Sequence, residues 1–100
     1  MSEKITVTID SDLEELIPGF MENRKKDVEK LGKAVTIKDF KTLQSVGHSL
    51  KGVGGGYGFD RMSEFGAAIE EAGKASDLES AKEQVEQLRD YLSRLDIVFE

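Results

Sequence analysis

Residues 40–58 read FKTLQSVGHSLKGVGGGYG, and the rest of the chain is organised around them. Phe40, Leu43, Gly47, Leu50, Gly54 and Tyr57 step 3, 4, 3, 4, 3, with Val46 and Val53 beside them. That spacing lays one apolar stripe along a helix. At about 100° per residue, His48 falls roughly 160° from the middle of the stripe, so its ring is expected to face water. It is the only histidine in the chain. Lys41, Gln44, Ser45, Lys51, Gly52 and Gly55 are expected around it, beside it or one to two turns away. The pattern describes a lone imidazole on an open helix face, with ammonium groups in reach and little side-chain bulk on one side.

Composition narrows what such a face can serve. One hundred residues make one domain, since a second core would not fit. With 38% hydrophobic and 34% charged residues, the chain is too apolar to be disordered and suits a soluble helical protein. A net charge of -6 argues against nucleic acid, whose binding rests on phosphate neutralisation. No apolar run approaches the length of about 18 residues that a membrane span requires. The opening MSEKITVTID has neither the apolar core nor the cleavage site of a signal peptide, so a cytoplasmic location is expected. The absence of cysteine excludes disulfides, thiolate metal sites and thiol catalysis.

Outward from the central stretch, the remaining chain reads as further helices. Ile5, Val7 and Ile9 alternate with Thr6 and Thr8, which predicts an extended segment. No second strand-like run stands out to pair with it, so residues 1–10 are expected to form an N-terminal arm against a bundle at 11–99. Ser11 with Glu14 reads as a capping box. Leu13, Leu16, Ile17, Phe20 and Met21 continue the pattern, which weakens at Arg24 and resumes at Val28 and Leu31. Pro18 suits a first turn, which predicts a short helix near 11–16 and a longer one over 18–34. Thr36 with Asp39 should cap the His48 helix, and Gly58 is placed to end it in the left-handed conformation. Asp60 is expected to cap a helix burying Met62, Phe65, Ile69 and Ala72. Ser76 and Glu79 should open a last helix whose Leu78, Ala81, Val85, Leu88, Leu92, Leu95 and Phe99 form one stripe. The expected fold is all-α, an antiparallel up-and-down four-helix bundle with a short N-terminal helix and an extended N-terminal arm. A monomer is expected, because each helix finds its partners within the chain.

The glycines leave two readings open. Either the helix stops near Lys51 and a loop follows, or it runs on toward Gly58 despite a cost of about 1 kcal/mol per interior glycine. Gly47 and Gly54, on the stripe, would let helices approach closely. Gly52 and Gly55, on the histidine side, would clear a surface for a partner protein. A metal site finds no second histidine and no cysteine, and carboxylates do not cluster near position 48 in the sequence. Ser45 and Ser49 lack the strand-to-helix elbow of a hydrolase, and neither nucleotide-binding glycine motif is met. Phosphoryl chemistry fits better. A neutral ring with one open nitrogen, Lys51 one turn on and Lys41 two turns back to offset incoming charge, and bare glycines for access are all present.

His48-Ser-Leu-Lys51-Gly52, followed by Gly58, resembles the H-x-x-K-G-x-x-x-x-x-G motif of histidine-containing phosphotransfer (HPt) domains in bacterial two-component phosphorelays. The resemblance extends over roughly residues 11–98 and takes in the FDRMSEFGAAIEEAGK stretch and the last amphipathic helix. It implies a four-helix bundle in which His48 is phosphorylated on Nε2 and Lys51 steadies the phosphoryl group. It implies that Gly52 and Gly58 shape the helix surface and its end, while the helical spacing itself makes Lys41, Gln44, Ser45, Gly52 and Gly55 the expected docking surface for a partner. The resemblance further implies no kinase activity and no cofactor of the domain's own. Mg²⁺ would sit on the partner, a receiver domain of a response regulator or hybrid histidine kinase. The chain departs from the family at Val53 and the three glycines after it, where small residues such as Ser or Ala are common just after the Lys-Gly pair. The alternative is a non-phosphorylated interaction module docking a partner on the glycine-rich face, and a domain excised from a larger hybrid kinase would keep the same chemistry.

Overall fold

The computed structural model describes residues 3–100. Strand β1 (Ile5–Ile9) leads through a 3-10 helix (Ser11–Leu16) into helix α1 (Ile17–Ile37). Helices α2 (Phe40–Tyr57), α3 (Asp60–Lys74) and α4 (Leu78–Arg94) follow, and strand β2 (Leu95–Phe99) continues directly from α4. The four helices enclose one apolar core in which Leu31, Leu43, Leu50, Met62, Ile69 and Leu88 are fully buried. Pro18 stands in the first turn of α1, where its missing N–H leaves no bond unmade. The helix runs on to Ile37, about a turn past the expected end, and stops where Lys38 turns left-handed at φ 58°.

Four expected caps are displaced. Asp10, not Ser11, caps the 3-10 helix by accepting the Asp12 N–H at 2.9 Å. Asp77, not Ser76, caps α4 by accepting the Ser80 N–H at 3.1 Å. In both places a carboxylate adjoins a hydroxyl, and the ionised oxygen is the stronger acceptor. Asp39 caps α2 without Thr36, whose hydroxyl instead donates to the Gly32 carbonyl inside α1. Asp60 is the first residue of α3 rather than its cap, because Phe59 occupies that position with its ring in the core. There Phe20 stacks on Tyr57 at 4.3 Å and on Phe59 at 5.2 Å, tying α1 to the α2–α3 turn.

The C-terminal stretch corrects a larger expectation. Leu95 and Phe99 do not extend the last helix; they lie in β2, which pairs in parallel with β1 from Ile5↔Leu95 to Ile9↔Phe99. The fold is therefore four helices plus a two-stranded sheet, and residues 5–9 do have a strand partner. Leu95, Ile97 and Phe99 also alternate with period 2, and Ile97-Val98 is β-branched, so the segment fits either pattern. Parallel strands need a long crossover, and here the whole helical bundle supplies it.

Helices α2 and α3 make the closest contact. A Cβ added at Gly47 would lie 2.6 Å from the Glu70 backbone nitrogen, and one at Gly66 would lie 2.5 Å from that of Lys51. Gly54 meets Ser63 and Gly73 meets Gln44 in the same way, at 2.8 and 2.7 Å. Contacts rise along α2 as they fall along α3, so these two helices run in opposite directions. Backbone touches backbone along their length, which leaves no slack in their register.

Candidate functional site

Helix α2 is continuous from Phe40 to Tyr57, so the reading in which it stops near Lys51 does not hold. Leu43, Gly47, Leu50 and Gly54 are its buried residues, and that stripe holds the opposite face outward. The helix ends at Gly58, whose φ of 91° is left-handed and whose N–H turns back to the Gly54 and Gly55 carbonyls. This is the glycine C-cap expected from the spacing.

His48 projects from the open face with its side chain 70% exposed. Its Nδ1 lies 2.9 Å from Oε2 of Glu70, a carboxylate only 9% exposed on the facing side of α3. Lys51, on the next turn of α2, reaches the other oxygen of the same carboxylate, Nζ to Oε1, at 3.3 Å. Burial pushes the Glu70 carboxyl up, but the hydrogen bonds from His48 and Lys51 outweigh it and hold the group below its ordinary value of 4.5. An ionised carboxylate can only accept, so Nδ1 must carry the proton. In the neutral ring Nε2 then bears the free lone pair, on the solvent side.

The residues expected around His48 divide into two groups. Lys41, Gln44 and Ser45 line an open hollow of about 500 Å³ together with His48, Glu70 and Lys74. Gly52 and Gly55 lie apart from that hollow. A Cβ at Gly52 would meet nothing within 4 Å, and one at Gly55 would meet only the Ser63 hydroxyl at 3.7 Å. One flank of the ring is thus a polar, cationic hollow, and the other carries Lys51 beside bare glycine backbone.

Sequence reading missed Glu70 and Lys74, and a carboxylate does stand beside position 48. A signal existed. Gly66, Glu70 and Gly73 step 4, 3, a second face of α3 distinct from the apolar one, and all three are buried. Among the described residues no group of three or more His, Cys, Asp or Glu side chains is arranged to hold a metal ion. No helix among them is long and apolar enough to cross a membrane.

A scan against protein-family profiles matches the Hpt domain over residues 15–97. Searches of curated proteins and of solved structures return no match. The family match takes in all four helices and both partners of the His48–Glu70 pair. The chain belongs to the Hpt domain family, whose members serve phosphotransfer in two-component phosphorelays and interact with receiver domains.

Proposed function

We propose that this Hpt domain is a histidine phosphocarrier, in which His48 takes a phosphoryl group from a receiver-domain phosphoaspartate and passes it to another. The observation that carries this reading is the exposed ring whose Nδ1 is engaged by a buried, ionised carboxylate. Such an arrangement leaves Nε2 as the nucleophile. Its lone pair attacks phosphorus, the N–P bond forms as the P–O bond to the aspartate breaks, and the carboxylate leaves. The ring gains positive charge, which Glu70 offsets through the Nδ1 hydrogen bond. Lys51 swings between Glu70 and the phosphoryl oxygens, a small movement for a side chain 48% exposed.

Gly52 and Gly55 admit the receiver's loops close to the ring, and Lys41, Gln44 and Ser45 meet them from the other flank. The receiver supplies the aspartate and the Mg²⁺, since phosphoryl transfer is chiefly positioning and charge neutralisation. The domain needs no kinase activity and no cofactor of its own, and one copy contains every residue named. A docking module without chemistry would give no use to a carboxylate buried beneath an exposed imidazole.

The test is to incubate the protein with a phosphorylated receiver and Mg²⁺. An acid-labile, base-stable phosphate should appear on the wild-type chain and be missing from His48→Gln. Labelling that persists in His48→Gln, or none with any of several receivers, would remove the basis for the reading.

A further inference from the structure

Glu70 faces more positive charge than His48 and Lys51 alone. Lys74 stands one turn beyond it, in the last turn of α3, and lines the hollow with His48, Lys41, Gln44 and Ser45. Its Nζ is 4.0 Å from the same Glu70 oxygen that engages His48 Nδ1, and 3.8 Å from Oε1 of Glu71. Both separations exceed hydrogen-bond length, so neither carboxylate holds the ammonium's donors firmly. Lys51, by contrast, is hydrogen-bonded to Glu70 and does not line the hollow. The two ammonium groups therefore approach the ring from different flanks. Lys41 also lines the hollow, but it stands two turns from His48 along α2 and makes no ion pair with Glu70 or Glu71 within 4.0 Å.

Resting on the reading of His48 as phosphoacceptor, we propose that Lys74 is a second phosphoryl-binding residue. As the phosphoryl group arrives on Nε2, Lys74 leaves its loose pairing with Glu70 and Glu71 and donates to one phosphoryl oxygen from the hollow. Lys51 donates to another from the glycine side. Lys74 stays protonated throughout; the only bonds changed are the N–P bond made and the donor's bond to phosphorus broken. Its contribution is to favour the dianionic phosphoryl group, and with it the phosphorylated state.

Phosphoramidate, a small donor that needs no protein docking, isolates this contribution. The full chain, Lys74→Gln, Lys74→Arg and His48→Gln would be phosphorylated with it, with helix content checked by circular dichroism. Lys74→Gln should label roughly three- to ten-fold more slowly than wild type. The ³¹P titration midpoint of its phosphohistidine should rise, because removing a cation disfavours the dianion against the unchanged background of Lys41, Lys51, Glu70 and Glu71. Lys74→Arg should restore both. If Lys74→Gln matches wild type in rate and midpoint while His48 labels normally, the role for Lys74 is wrong and the carrier reading stands. If both Lys74 variants are equally impaired, packing rather than charge is responsible and the proposal fails. No label on wild-type His48 from phosphoramidate or from a phosphorylated receiver would overturn the carrier reading and this one together.

Discussion

At the scale of single residues, Glu70 determines which nitrogen of His48 is available. Free imidazole exchanges its proton between both nitrogens, and the partner of one decides the chemistry of the other. Glu70→Ala should therefore release the ring to a mixture of tautomers and slow phosphorylation by roughly ten-fold, an order-of-magnitude expectation from the loss of that orientation. Ring ¹⁵N shifts and transfer rates from a phosphorylated receiver would measure the two effects together; a ring that keeps its proton on Nδ1 in the variant would mean Glu70 is not what holds it there. Glu70 also predicts how stability depends on pH. Its folded value lies below the ordinary 4.5, so the unfolded chain takes up the proton first as pH falls. The stabilisation is full above about 4.5 and is lost as pH falls through the folded value. Urea denaturation of wild type and Glu70→Gln should give curves that converge as the pH drops through that range. Asp39, held below its ordinary 3.8 by the Thr42 hydroxyl and N–H, contributes in the same sense and remains in both proteins. A gap that stays constant to pH 3 would contradict the assignment. His48 and Lys51 were legible in the sequence because one helix spaces them one turn apart. Glu70 was not, because it stands 22 positions from His48 and meets it only through the packing of two helices.

At the scale of elements, the glycines of α2 and α3 divide into those that set the contact and those that clear a surface. Gly56 stands in open space, where an added Cβ would meet nothing within 4 Å. Gly56→Ala should stabilise the protein by about 0.5–1 kcal/mol, the usual gain when an exposed helical glycine is replaced. Gly47→Ala should do the opposite. Its Cβ would press on the Glu70 backbone, which cannot rotate away, and overpacking of that kind costs about 1–3 kcal/mol. It should also slow transfer from a receiver, since separating the helices draws Glu70 off the ring. Chemical denaturation of both variants, read with transfer rates, tests the division; a stabilised Gly47→Ala would mean that the interface is looser than described. The stripe through Leu43, Gly47, Leu50 and Gly54 was legible from its period. How far α2 continued was not, because glycine propensity argues locally for a loop while contact with α3 holds the helix in place. The C-terminal strand was misread for a related reason: LDIVF satisfies period 2 as well as a helical stripe, and only pairing with β1 decides between them.

At the scale of the whole molecule, the candidate site and the two-stranded sheet stand on different elements. His48, Lys51, Glu70 and Lys74 all stand on α2 and α3, whereas β1 and β2 join the two ends of the described chain on the other side of a helical crossover. A two-stranded sheet is marginal by itself, so this one must draw its stability from the apolar residues it shares with the bundle: Ile5, Val7, Ile9, Leu95, Ile97 and Phe99. Ile9 is the best buried of these, at 1% exposure, and its Cδ1 lies 3.4 Å from where a Cβ at Gly58 would stand. Ile9→Ala should therefore cost about 2–4 kcal/mol, the range for emptying a buried aliphatic site. The denaturation midpoint should fall accordingly. Below the new midpoint, however, the His48–Glu70 hydrogen bond and the rate of phosphoryl transfer should match wild type, because the glycine contacts that set their geometry lie along α2 and α3. If transfer slows in the folded variant, strain at the Gly58 turn is reaching His48 along α2. The sheet would then be part of the reactive unit rather than a brace for it.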